Sequence, residues 1–515
     1  MRGDVVYLTQ PLHRHLRAIP DATAMQDERT TLTWRELGDA VMRFAGALRR
    51  DGLQPGDRVA MMARNSVDFA VYVIGTLWAG GVINPVNLRW APAEMAYSLN
   101  DCQTRFLIVH PEFLPLVGDL RERAPCLTNV IVLGSEGTAG VIGEAEWLRD
   151  APRVDDALRR GDDLAAIMYT GGTTGRSKGV MLSHSNIAFA NVGTRLAMDE
   201  AATRRPLHVA PLFHIGALSN FFVSMLTGAT STFIPAFDPE AVITAIERWR
   251  ITEVFLVPTM LRMVIDQPGF ATRDVSSLER IRYGASPIDA TLLARVMAAF
   301  PNTGFSQGYG MTELAPTAVI LPPADHLNYE DFPHRLASAG RATPVCEVRI
   351  VGSDGHELPV GEVGEIAVRG PTVMLGYWNL PEATAEAIRD GWMHTGDLGF
   401  MDADGYVTVV DRLKDMIVSG GENVYSSEVE KALASHPAVE QVAVIPVPDE
   451  KWGERVHAVV VLRSGAGPAE QELVDHCRPT IAAYKLPRSF SFVDALPLTA
   501  AGKPLKAKLR ELYSG

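Results

Sequence analysis

Glu253-Val254-Phe255-Leu256-Val257, Thr259 to Ile265, Arg280-Ile281-Arg282-Tyr283, Asp289 to Phe300 and Thr303-Gly304-Phe305-Ser306 form the run that decides the fold class. The first, third and fifth segments are short and apolar and read as buried strands; the two between them read as helices. Strand–helix–strand alternation requires crossover connections, and so predicts mainly parallel sheets with helices outside.

Upstream, Thr33 and Glu36 form a capping box, and Trp34, Leu37, Val41, Phe44 and Leu48 follow at helical spacing before Gly52 closes the helix. Downstream, the texture changes between Asp411 and Gly421, where a charged run, Asp411-Arg412-Leu413-Lys414-Asp415, precedes Ser419-Gly420-Gly421. Beyond it a helix is expected near 427–435, strands near 441–447 and 456–462, and a helix after Pro468. The expected architecture is α/β: a large N-terminal domain, 1–411, of mainly parallel sheets flanked by helices. A small α+β C-terminal domain, 415–515, follows on a hinge near Lys414.

A chain of 515 residues exceeds what one core supports, in keeping with two domains. Hydrophobic residues make up 47% and charged residues 21%, the balance of a folded globular protein. A net charge of −13 argues against nucleic-acid binding, which needs a basic face. Cys102, Cys126, Cys346 and Cys477 have neither zinc-ligand nor redox spacing, and the start of the chain lacks a signal-peptide pattern; a reducing, cytoplasmic location is expected. From Pro206 to Phe237 there is no Asp, Glu, Lys or Arg. Pro211, His208, His214 and Asn220 within it favour a buried strand, turn and helix over an integral membrane segment. Peripheral membrane contact and a homodimer stay open.

The strongest chemical signal is Tyr169-Thr170-Gly171-Gly172-Thr173-Thr174-Gly175-Arg176-Ser177-Lys178-Gly179. Its glycines let successive N–H groups approach an anion, its hydroxyls add donors and Lys178 adds positive charge, so it reads as a phosphate cradle. It is not a Walker A loop, because Lys178 precedes Gly179 rather than a Ser or Thr.

This segment resembles the signature phosphate loop of the adenylate-forming (ANL) superfamily, which includes acyl-CoA synthetases, peptide-synthetase adenylation domains and firefly luciferase. Gly171 and Ser177 depart from the usual serine and proline, weakening one side-chain contact while leaving the glycine, threonine and lysine framework. Further matches follow in the family's order over nearly the whole chain. Gln307-Gly308-Tyr309-Gly310-Met311-Thr312-Glu313 resembles the segment where an aromatic ring packs on adenine. The resemblance implies that Thr312 contacts the AMP phosphate and that Glu313 helps hold Mg²⁺. Gly284-Ala285-Ser286-Pro287 resembles the lining of the other adenine face. Asp397, in Trp392 to Leu398, resembles the ribose-binding aspartate, and Arg412 an arginine on the nucleotide. Pro497 to Lys503 matches the loop bearing the adenylation lysine, Lys503. Lys414 matches the hinge, and Gly420, Gly421, Glu422 and Asn423 would face the thiol channel after the small domain rotates.

The resemblance implies ATP, Mg²⁺ and coenzyme A as cofactor and co-substrates, with acyl-AMP as the intermediate of an AMP-forming acid–thiol ligase. The candidate acid pocket, Pro211 to Leu218, is apolar apart from His214, which resembles a gate residue. No Arg or Asp in that segment could pair with a second carboxylate or an amino group, so a hydrophobic monocarboxylic acid, fatty or aromatic, is expected. A ligase loading a carrier protein and a non-catalytic nucleotide-binding scaffold are the alternatives.

Overall fold

The computed structural model describes residues 6–138, 140–170, 177–198, 204–286, 288–327, 333–419, 422–498 and 504–513. The chain falls into two compact units. One comprises Met1–Thr170, Ser177–Val348 and Val368–Met393; the other comprises Gly171–Arg176, Arg349–Ala367 and His394–Gly515.

In the first unit, a nine-stranded sheet contains the deciding run. Thr23–Gln26, Ser231–Phe233, Pro206–His208, Glu253–Phe255, Arg280–Gly284 and Gly304–Tyr309 lie side by side and parallel. Antiparallel strands occupy its edges: Thr31–Thr33 at one, Val319–Leu321 and Arg341–Ala342 at the other. The strand begun at Glu253 stops at Phe255, shorter than expected, because Pro258 opens the next helix, Pro258–Ile265, and cannot donate to a ladder.

Side-chain alternation sets the two faces of this sheet. Leu207, Val254, Ile281 and Phe305 pack with Val242, Ile246, Leu261 and Val296 of the covering helices. Glu253 and Arg282 are buried outside that cluster, paired with each other at 2.7 Å.

The charge-free stretch is a strand, a turn, the helix Ile215–Thr227 and the strand Ser231–Phe233. The helix is 13 residues long, about 20 Å against the ~30 Å of a bilayer core. Among the described residues no helix is long and apolar enough to cross a membrane. The early helix is Trp34–Arg50, with both capping-box hydrogen bonds present. Gly52 follows at φ +87°, the left-handed conformation expected just past a helix end.

A second sheet of this unit has eight strands. Val82–Pro85, Arg58–Met62, Phe106–Val109 and Asn129–Val132 are parallel, and Leu164–Thr170 joins them beside Val82–Pro85. Lys178–Ser183 then returns antiparallel to Leu164–Thr170, and Gly376–Tyr377 pairs antiparallel with it.

The unit division passes through the strands Glu347–Val351, Gly364–Arg369 and Trp392–Met401. Within the second unit, Asp397 to Met401 pairs antiparallel with Val407–Arg412. Its C-terminal sheet has the order Glu422–Val424, Ile417–Ser419, Gly453–Leu462, Val439–Asp449, with Ser489–Phe492 parallel to Gly453–Leu462. Val429 and Leu433 of the helix Ser426–Ala434, and Leu473 of Glu470–Cys477, pack into one core of this sheet. Leu509 of Lys506–Tyr513 packs into the other. The predicted α+β character is present. Cys477 is buried, which pushes its thiol up to about 11, and all four cysteines are free.

Candidate active site

The segment expected to cradle phosphate lies in the chain between two antiparallel strands. Thr170 and Lys178 are cross-strand partners at its base, so chain entry and exit are fixed by a ladder. Gly171, Gly172, Thr173, Thr174 and Gly175 lie outside the described residues. The Lys178 ammonium sits 4.8 Å from the centre of the Tyr377 ring, within cation–π range.

Tyr377 in turn reaches Glu313. Its hydroxyl donates to Glu313 Oε1 at 2.8 Å, and Glu313 is 6% exposed. The carboxylate stands in a one-turn helix, Thr312–Leu314, and its backbone carbonyl accepts from the Met374 amide at 2.9 Å. Burial and the adjoining carboxylate both raise the Tyr377 pKa, so the phenol stays protonated and donates. Lys178 and Glu313, 135 positions apart, are thus joined by a tyrosine that the sequence reading did not single out. Its signal was weak: Gly376-Tyr377-Trp378 lies far from both motifs in the chain.

The two segments matched to adenine binding are brought together by sheet register. Gly284 pairs with Gly308 and Tyr283 with Gln307 on adjacent parallel strands. Ala285 and Ser286 continue from one strand end and Tyr309 ends the other; Pro287 lies outside the described residues. Gly310 has φ +156°, and a Cβ there would lie 2.0 Å from the Pro316 carbonyl oxygen. No larger residue fits this chain reversal, which leads through Met311 to half-buried Thr312 and on to Glu313.

Within the second unit, Asp397 and Arg412 face each other across antiparallel strands, Arg412 Nε lying 3.4 Å from Asp397 Oδ1. Glu365, also absent from the sequence reading, orders the approach to Asp397. Its carboxylate binds His394 Nδ1 at 2.7 Å and the Gly396 amide at 3.0 Å. Thr395 accepts from the Asp397 amide and donates to the Ile366 carbonyl.

His214 stands at the N-terminus of Ile215–Thr227, with Nε2 buried and without a hydrogen-bond partner among the described residues. Burial, then the charge of Arg89, lowers its pKa to about 4, so the imidazole is neutral near pH 7. The preceding segment is pinned by buried Asn65, whose Nδ2 donates to the Ala210 carbonyl at 2.9 Å and shares its second hydrogen between the His208 and Val209 carbonyls at 3.3 Å, and whose Oδ1 accepts from Leu212 N at 2.9 Å.

The linear segment holds no arginine, but the fold places two near it: Arg89, whose charge acts on His214, and Arg282, which reaches Asn220 just beyond the segment from a strand of the nine-stranded sheet. Arg282 Nη1 donates to Asn220 Oδ1 at 3.0 Å, and its guanidinium is engaged by Glu253. Sequence distance concealed both.

Lys414 lies in the turn Leu413–Asp415 inside the second unit, where burial and then the Arg412 charge lower its pKa. Asp415 beside it holds Arg510 at 2.7 Å. Glu422 and Asn423 are exposed, on a strand that pairs with Ile417–Ser419. Gly420, Gly421 and Lys503 lie outside the described residues.

Residues 12–378 match the family model for the AMP-binding enzyme, and 428–503 match that for the AMP-binding enzyme C-terminal domain. Feruloyl-CoA synthase of Amycolatopsis sp is 42% identical over 97% of this chain and 98% of its own length. The fatty acid–[acyl-carrier-protein] ligase ScoC of Streptomyces coeruleorubidus is 37% identical over 99% of this chain and 96% of its own. Among solved structures, the anthranilate CoA ligase AuaEII in complex with anthranoyl-AMP superposes with a TM-score of 0.90, at 28% identity, covering 99% of this chain and 98% of that one. The chain therefore belongs to the AMP-binding enzyme family, as one of its AMP-forming acyl-CoA synthetases.

Proposed function

We propose that the chain joins a hydrophobic monocarboxylic acid, fatty or aromatic, to coenzyme A through an acyl-adenylate. The observation that carries this reading is the convergence of Lys178 and Glu313 on Tyr377 at the base of the phosphate cradle. A cation and a carboxylate held there suit the triphosphate of ATP and its Mg²⁺. Mg²⁺ would need few protein ligands here, since it is usually held by one or two carboxylates together with substrate phosphates and water. Glu313 fits such a role: the Tyr377 hydroxyl that donates to it is neutral, so this contact orients the carboxylate without cancelling its charge. When bound, Mg²⁺ would neutralise phosphate charge.

In the first half-reaction the acid's carboxylate oxygen attacks the α-phosphorus, forming acyl-AMP as the bond to pyrophosphate breaks. Lys178 and the cradle hold the departing pyrophosphate, while Lys503 orients the carboxylate and α-phosphate. Gly284, Ala285, Ser286, Pro287 and Tyr309 seat the adenine, Thr312 the α-phosphate, and Asp397 with Arg412 the ribose. In the second, the thiol of coenzyme A attacks the acyl carbon and AMP leaves. The small domain turns about Lys414 between the two, bringing Gly420, Gly421 and Glu422 to the thiol channel.

The acid pocket is read from Leu212, Phe213 and Leu218, all buried, and from the neutral His214. An apolar acid suits such a wall, and the engagement of Arg282 by Glu253 and Asn220 leaves that arginine poorly placed for a second carboxylate. A reducing compartment, the cytoplasm, suits the four free thiols.

The similarity to ScoC supports a second reading, in which a carrier protein accepts the acyl group. Pyrophosphate release and acyl-CoA formation, measured across fatty and aryl acids with and without coenzyme A, test both. Thioester formed with one acid class supports the ligase and defines its pocket. Acid-dependent pyrophosphate exchange without thioester selects the carrier-protein acceptor, and no exchange with any acid rejects the reading.

A further inference from the structure

Tyr377 is fixed from three directions. Its strand pairs antiparallel with Lys178–Ser183, Tyr377 facing Val180, and the Trp378 amide donates to the Gly179 carbonyl at 2.7 Å. The Tyr377 amide donates to Thr384 Oγ1 at 2.9 Å, and that hydroxyl donates onward to the Leu380 carbonyl. Gly376 lets this happen: at φ +141°, a Cβ there would meet Thr384 Cγ2 at 2.8 Å. The backbone is therefore held independently of what the phenol does. The side chain, 8% exposed, presents its ring to the Lys178 ammonium and its hydroxyl to Glu313.

Holding a cation and a carboxylate at one site calls for a rigid group that contacts both. A tyrosine suits that task, since it has two side-chain torsions, a flat face that attracts a cation and a hydroxyl that donates to an anion.

We propose that Tyr377 is a positioning residue for the triphosphate site, its hydroxyl orienting the Glu313 carboxylate while its ring face seats the Lys178 ammonium. This rests on the reading of Glu313 as the metal-holding carboxylate. The hydroxyl serves the metal-dependent part of ATP binding, and the ring serves the part due to Lys178.

The test is calorimetric titration of the full chain with ATP, once in excess Mg²⁺ and once in EDTA, with melting temperatures alongside. Tyr377→Phe keeps the ring and is expected to lower ATP affinity about tenfold in Mg²⁺ while leaving the EDTA value unchanged. Tyr377→Leu is expected to weaken ATP several-fold in EDTA as well. A Tyr377→Phe protein matching wild type in both titrations overturns the proposal. So does one that loses affinity equally in both while melting lower, since that marks a merely structural residue. Glu313→Gln separates the two layers. If it abolishes the Mg²⁺ enhancement while Tyr377→Phe does not touch it, Tyr377 alone is misassigned; if Glu313→Gln leaves the enhancement intact, the metal reading falls as well.

Discussion

The two units hold their charged residues in different ways. In the first, Glu313 is buried, bound through Tyr377, and backed by a strand pairing that also fixes Lys178. In the second, the Asp397–Arg412 pair spans 3.4 Å, and the arginine side chain is half exposed. The buried arrangement is pre-set, so removing one member leaves a desolvated partner behind. The arginine of this second pair is screened by water and can readjust, so the pair is more easily disturbed without loss.

The largest contrast is expected in acid. Burial lowers the pKa of His208 to about 3 and of His184, His214 and His326 to about 4, and all four lie in the first unit. Between pH 6.5 and these values the unfolded state binds more protons than the folded one. Stability is thus full above pH 6.5 and falls as pH drops toward 4, by up to about 1.4 kcal/mol per pH unit for each histidine. Hydrogen exchange at pH 7 and pH 5 should show the first unit losing protection before the second; equal loss would break the contrast.

Next in size, Glu313→Gln is expected to slow acid-dependent pyrophosphate release by about 10²–10³-fold with little change in melting temperature. Lys503→Ala should cost about 10²-fold in that half-reaction yet spare thioester formation from supplied acyl-AMP. Full adenylation by that variant would remove Lys503 from the first step. Asn65→Ala is expected to destabilise by about 1–3 kcal/mol in denaturant titration, because up to three carbonyls and the Leu212 amide lose their partner. Its KM for the acid should rise more than that for ATP. The smallest effect is assigned to Asp397→Asn, about tenfold in the KM for ATP with kcat nearly kept; a loss as deep as that of Glu313→Gln would show that exposure did not soften this pair.

Periodic apolar spacing and local turn chemistry made much of this molecule readable along the chain. The helix Trp34–Arg50 with its Thr33 cap, the alternation from Glu253 to Ser306 and the α+β pattern after Ser426 all follow from interactions a few residues apart. The candidate motif was singled out for a similar reason, since its glycines, hydroxyls and lysine lie close together along the chain. The antiparallel return of Lys178–Ser183 was not legible, because pairing direction depends on which strands meet.

What the sequence by itself determined was the alternation from Glu253 to Ser306 and a few further elements, the two-part organisation and the residue types gathered in each motif, because these rest on short-range spacing. Tertiary structure alone decided the company each residue keeps: Tyr377 between Lys178 and Glu313, Glu365 beneath His394 and Gly396, Asn65 behind the acid segment, and Arg282 against Asn220. Each of these contacts joins positions 29 or more residues apart in the chain, and burial gives it its strength by removing the water that would otherwise compete for the same groups.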